Sequence, residues 1–179
     1  MPVEAYSQSL DVTRRTRPQR LQNHLPPKGL NIAMRQASRL LEPSQFQAVI
    51  QAARQARGAL APAVMVGSAH CPWCELILKE QLGPRMLAQH KPQLVVLDFD
   101  LADRKPVEGL RLHQPKSTRL LSPADWAKAH RYALAPTVVF IDQLGQPITE
   151  PLIGYASRDF YGAYLEDRIL QAQAYWRKI

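Results

Sequence analysis

A chain of 179 residues with 46% hydrophobic content is long enough to bury a core and too apolar to remain an unfolded polymer. Its formal net charge of +8 is concentrated early: residues 1–58 hold nine Lys/Arg against three Asp/Glu, while 59–179 hold fourteen against twelve. The second part of the chain therefore lacks the strong basic excess of a nucleic-acid-reading face, and with no stretch of about 18 apolar residues the chain carries no transmembrane helix.

In chain order, residues 1–30 read as irregular: polar, with Arg14, Arg15, Arg17 and Arg20, and ending in "LPPKG", where Pro26 and Pro27 favour an extended path. A basic arm can contact nucleic acid or anionic lipid, but no recognition motif accompanies this one, so no specific nucleic acid is expected and a solvated extension is the plainer reading. No secretory leader is visible in the first twenty residues, which leaves a cytoplasmic protein or a mature form without its leader. A short helix is expected at 30–40. Residues 1–42 are set apart as an N-terminal extension and 43–179 as the domain.

After Pro43 the pattern clears. Phe46, Val49, Ile50 and Ala53 fall at i, i+3, i+4 and i+7, one face of a helix that Pro43 starts and Gly58 ends. "AVMVGS" (63–68) reads as a buried strand. "CPWC" follows, then "ELILKEQL", helical in pattern and broken by Gly83-Pro84, after which "RMLAQH" begins another short helix. "QLVVLDFD" (93–100) is a strand and 101–121 a long charged connection. Ser122 reads as an N-cap, with Pro123 at the first helical position and Asp125 in the first turn, for a helix carrying Trp126, Ala129 and His130. "TVVFID" (137–142) is a strand, "QLGQ" a turn, and 147–153 its hairpin partner. Ser157 caps a last helix whose buried side is expected to hold Phe160, Tyr164, Leu165 and Ile169. This order, α, β, α, β, α, β, β, α, predicts an α/β fold with a mixed central sheet flanked by helices.

Cys71 and Cys74 are the only cysteines. A closed metal site would need a second ligand pair, and His70, His90, His113 and His130 are scattered, although a site built from His70 and a distant histidine stays open. A structural disulfide across two residues closes too short a loop to constrain the unfolded chain much. The third reading is redox chemistry. Cys71 follows a strand and precedes a helix, so its sulfur falls near unpaired backbone N–H groups at the positive end of the helix dipole, which stabilises a thiolate. Cys74 lies one turn further on, placed to resolve a mixed disulfide formed at Cys71. His70 can add positive charge beside Cys71, or simply face solvent. Trp73 is expected to be partly exposed beside the cysteines, as substrate contact or as packing.

"AVMVGSAHCPWCELIL", with "LAPTVVFIDQLGQPI" and "LIGYASRDFYGAYL" downstream, resembles the thioredoxin superfamily over residues 43–179. The resemblance implies a thioredoxin fold, a cis peptide at Pro136 facing the cysteine pair, and a backbone at Ala135 that receives the substrate peptide. It departs from ordinary cytoplasmic thioredoxins in three ways. The dipeptide between the cysteines is Pro72-Trp73, nearer to glutaredoxins; His70 precedes Cys71; and Met65 occupies the position of the buried aspartate that normally accepts a proton. The second part of the chain is most similar to bacterial periplasmic thioredoxin-like proteins, which are kept reduced by a membrane electron carrier. The resemblance therefore implies a thiol–disulfide oxidoreductase acting on protein thiols and disulfides, without cofactor or metal, monomeric, and periplasmic, with the cytoplasm as the alternative location. A glutathione-dependent glutaredoxin-like enzyme and a non-catalytic binding module are the competing functions.

Overall fold

The computed structural model describes residues 40–86, 93–112 and 119–179. The helix expected at 30–40 falls outside them except for its last residue, as does most of "RMLAQH". A 3-10 turn, Pro43–Gln45, leads into α1, Phe46–Ala56. Proline costs nothing there, because the first N–H groups of a helix have no intrahelical acceptor. Phe46, Val49, Ile50 and Ala53 are all buried, as their spacing requires.

Strand β1, Ala61–Gly67, is central and buried at every position. It pairs in parallel with β2, Leu94–Asp100, and antiparallel with β3, Thr137–Phe140. The two-residue β4, Leu152–Ile153, completes the sheet beyond β3, giving the order β2-β1-β3-β4. A strand flanked on both sides and covered on both faces has no solvent side, which is why β1 reads as an unbroken apolar run. The expected hairpin return over 147–153 is mostly lost: only an isolated bridge, Ile141 with Pro147, precedes β4. Pro147 and Pro151 bring no N–H to the ladder. Leu41 bridges to Leu97 on the outer side of β2; its N–H donates to Val96 (2.9 Å) and its carbonyl accepts from Asp98 (2.8 Å). It is buried in the core, two residues before the expected start of the domain.

Strand alternation sorts the core into two layers. Val64, Val66, Val95, Leu97, Phe99 and Val139 face α1 and Trp126 of α3, Pro123–Ala129. Ala61, Ala63, Met65, Leu94, Val96 and Val138 face the helices α2, which starts at Pro72 and runs to Met86, and α4, Arg158–Trp176. Ser122 caps α3 as expected, its Oγ accepting from the Asp125 N–H at 3.1 Å.

Helix α2 corrects the expected break. It is α-helical over Pro72–Ile77, π-helical over Leu78–Leu82 and α-helical again over Gly83–Met86, with no interruption. Proline inside an α-helix clashes with the carbonyl four residues back. The π turn widens the helix so that the Gly83 N–H reaches the Leu78 carbonyl, and exposed Pro84 is tolerated. Helix α4, Arg158–Trp176, brings a second correction: its buried positions are Tyr161, Leu165, Ile169, Ala172 and Trp176. Phe160 and Tyr164, expected on that face, are 71% and 56% exposed, because each lies one residue, about 100° of helix rotation, off the Tyr161–Leu165 row. Ser157 stands at the N-cap position, but its side chain makes no capping bond.

Candidate active site

The parallel strands β1 and β2 end at the same edge of the sheet, at Gly67 and Asp100, and antiparallel β3 begins there at Thr137, paired with Val66. The turn from β1 to α2 and the segment entering β3 therefore converge on one edge. Cys71 is the N-cap of α2, with an extended backbone, and Pro72 fills the first helical position. The Cys71 Sγ accepts from the Cys74 N–H at 3.2 Å. The two cysteines form a disulfide with their Cα atoms 5.3 Å apart. Cys74 is buried, one turn inside the helix, and Cys71 is only partly covered.

His70 and Trp73 adjoin the pair in sequence, and Pro136 precedes β3 at the end of the sheet where β1 leads to Cys71. His70 is exposed and sits in the left-handed region, with φ 56°. That conformation, uncommon outside glycine, reverses the chain so that Cys71 can start the helix. Trp73 is 55% exposed, its ring centroid 6.2 Å from that of Tyr155. The Ala135–Pro136 peptide is cis. Pro136 is buried, and its carbonyl accepts from Gly154 at 2.8 Å. Thr137 Oγ1 donates to the Leu134 carbonyl at 2.7 Å, fixing the turn from the inside, while Leu134 is exposed. Ala135 and Cys71 both pack against the core layer that holds Cys74.

A cleft of about 220 Å³ opens beside the cysteines, lined by both of them and by Met65, Gly67, His70 and Asp98 among others. Asp98 is the site residue that the motifs miss. It stands opposite Met65 across the parallel β2–β1 pair. Its side chain is exposed to the cleft; partial loss of hydration there raises its pKa above the ordinary carboxylate value, and the charge of Asp100 adds to the rise. The signal was present in "LVVLDFD": Leu94 and Val96 point into the layer under α2, so the alternation sends Asp98 the same way. Among the described residues, no group of three His, Cys, Asp or Glu is arranged to hold a metal ion.

A mixed four-stranded sheet in the order β2-β1-β3-β4, two helices on each face, a Cys-x-x-Cys pair at a helix N-terminus and a cis-proline entering β3 define a thioredoxin fold. No protein-family model and no curated protein matches the sequence. Among solved structures, the chain is similar to the periplasmic thioredoxin SoxS from Paracoccus pantotrophus in its reduced form, at 22% identity over 62% of this chain and 97% of that one, with a TM-score of 0.42. It is also similar to the oxidised C-terminal domain of Neisseria meningitidis DsbD, at 14% identity over 72% and 97% of the two chains, TM-score 0.44. A third likeness is to a DsbH oxidoreductase, at 15% identity over 93% and 95%, TM-score 0.44.

Proposed function

We propose that the chain is a thiol–disulfide oxidoreductase that exchanges its Cys71–Cys74 dithiol or disulfide with protein substrates. The observation that carries this reading is the placement of Cys71: its sulfur sits at a helix N-terminus, accepts an amide N–H, and is the less buried of the pair. Each feature favours a thiolate that is available to attack. In the reducing direction, Cys71 attacks a substrate disulfide and forms a mixed disulfide, and Cys74 then displaces the substrate. Exposed Trp73 and the backbone of Ala135 flank this position and serve as the substrate-binding surface, with an extended peptide pairing along the segment before β3. His70 adds positive charge near Cys71 when protonated. The sequence resemblance supports a periplasmic monomer reduced by a membrane electron carrier, with the basic residues that precede Leu40 as an appendage to the catalytic domain.

In the reduced protein, limiting iodoacetamide is expected to label Cys71 first. Cys74→Ser is expected to trap a mixed disulfide, and Cys71→Ser to abolish exchange. Trp73→Ala slows reduction of a folded protein disulfide more than of a small one. Preferential labelling of Cys74 reverses the two roles, and an absence of exchange in the wild type leaves a binding module. The Pro72-Trp73 dipeptide favours a second reading, a glutathione-dependent enzyme; turnover of glutathione mixed disulfides by Cys74→Ser alone would select it.

A further inference from the structure

Strand β2 carries one anomaly. Its residues alternate between the two core layers: Val95, Leu97 and Phe99 go to one, Leu94 and Val96 to the other. Asp98 continues the second row toward α2, but its side chain is exposed, at the cleft beside the cysteines, where the row above it is apolar and buried. Its partner across the parallel pairing is Met65, whose side chain is buried in that layer together with Cys74. Between them lies Gly67. A Cβ on Gly67 would stand 3.5 Å from Asp98 Oδ1 and 3.8 Å from Cys74 Sγ, so the carboxylate and the sulfur border one gap that this glycine leaves unfilled. The gap belongs to the cleft beside the cysteines, which is open to water.

We propose that Asp98 is the proton acceptor for Cys74, taking over from the neighbouring strand the task for which Met65 has no functional group. This rests on the thiol–disulfide reading above. Attack by the Cys71 thiolate on a substrate disulfide forms the mixed disulfide, and the first substrate thiolate leaves and takes a proton from water. The Cys74 thiol then gives its proton to the Asp98 carboxylate, directly or through one water in the gap. The Cys74 thiolate attacks the Cys71 sulfur, the bond from Cys71 to the substrate breaks, and the second substrate sulfur leaves with the proton that Asp98 returns. The protein dithiol is oxidised by two electrons and the substrate disulfide is reduced by two.

The surroundings suit an acceptor. A carboxylate with an ordinary pKa is a weak base toward a thiol; partial loss of hydration in the cleft and the charge of Asp100 both raise the pKa of Asp98, although its side chain is exposed. The titratable groups that share its cleft are Asp100 on its own strand, His70 in the turn after β1, and Cys71, Cys74 and Glu75 on α2. Asp100 and Glu75 oppose ionisation of Asp98, and a protonated His70 favours it. Among the described residues, the Asp98 carboxylate has no ion pair that would hold it away from this role.

The test uses the full chain in single-turnover reaction with a peptide disulfide, quenched by rapid alkylation so that the mixed disulfide and the Cys71–Cys74 disulfide are counted separately. Asp98→Asn is expected to leave mixed-disulfide formation within about twofold and to slow its resolution about tenfold or more near pH 6.5, a deficit that closes as pH rises and Cys74 ionises unaided. Asp98→Glu restores most of the rate. An unchanged resolution rate and pH profile in Asp98→Asn overturns the proposal. In parallel, the Asp98 carboxyl is titrated by NMR in the disulfide and dithiol forms: its midpoint is expected to differ between them, and identical midpoints overturn the coupling. A wild type without any exchange defeats the oxidoreductase reading instead, and the NMR comparison still decides whether the two groups share a proton.

Discussion

His130 shows how one residue links packing to pH. It ends α3 with its ring 4.8 Å from that of Trp126 and stacked on Tyr132 at 5.8 Å, centroid to centroid. Its Nε2 is buried and has no hydrogen-bond partner among the described residues. Burial lowers its pKa from the ordinary value of 6.5, because the imidazolium would lose hydration without gaining an acceptor. The folded state therefore binds fewer protons than the unfolded one between the lowered value and 6.5. Stability from this group is complete above 6.5 and is lost as pH falls through that window. Asp98 has the opposite sign: with its pKa raised, it opposes folding more as pH rises past the ordinary carboxylate range. Urea midpoints at pH 7.5 and 5.5 separate the two. His130→Gln is expected to lose less stability on acidification than the wild type, and Asp98→Asn to gain most at the higher pH. A His130→Gln difference that does not change with pH sinks the first assignment.

At the scale of elements, the sequence was most legible where one local rule decides. The Ser122-Pro123 cap and the buried face of α1 are read from caps and periodicity and stand where expected, and the fully apolar β1, expected at 63–68, runs over Ala61–Gly67. The Cys71–Cys74 pair was legible because its spacing is chemistry. Legibility failed where two rules compete. In α4, Phe160 and Tyr164 are as apolar as their buried neighbours, and only packing against the sheet decides which row turns inward. Asp98 was hidden because a single acid in an apolar strand carries no motif; its meaning depends on which face the alternation gives it. In α2, glycine and proline together signal a stop, yet tertiary contacts carry the helix through. Arg85 bonds the Gln81 carbonyl at 2.9 Å and Glu166 of α4 at 3.3 Å, and Gln81 Nε2 donates to the Arg158 carbonyl at 3.2 Å. Glycine at 83 is part of that solution, since a Cβ there would lie 2.8 Å from the Leu78 carbonyl oxygen. Alanine normally stabilises a helix interior over glycine by roughly 0.5–1 kcal/mol. Here the contact is with backbone that cannot swing away, so Gly83→Ala is expected to destabilise by about 1–3 kcal/mol in denaturant unfolding. A gain in stability would mean that the π turn relaxes freely.

Across the whole molecule, chemistry and stability occupy opposite edges of the sheet. The cysteines and Pro136 sit where β3 begins; the turn after its other end is clamped by two tryptophans. Trp126 Nε1 donates to the Gly145 carbonyl at 2.7 Å, and Trp176 Nε1 donates to the Ile141 carbonyl at 3.0 Å. Both indoles are fully buried. Asp142 braces the turn from within, its Oδ1 accepting from the Leu144 and Gln146 N–H groups at 2.8 Å each. Trp176 comes from α4, whose earlier residues cover the cysteine layer, yet its own ring enters the opposite layer with Trp126. The last turn of α4 thus ties the two halves of the core together through one turn. Trp126→Phe and Trp176→Phe each shrink a packed ring and deprive a buried carbonyl of its donor, for an expected cost of about 2–4 kcal/mol apiece. Because both act on the same turn, the double variant should depart from additivity by at least about 0.5 kcal/mol. Exchange at the cysteines, measured per folded molecule in Trp176→Phe, should remain at the wild-type rate, since Trp176 packs in the core layer opposite the one that holds Cys74. An exchange rate that fell in step with stability would show that the cysteine edge depends on the far end of β3, and the separation of the two edges would be wrong.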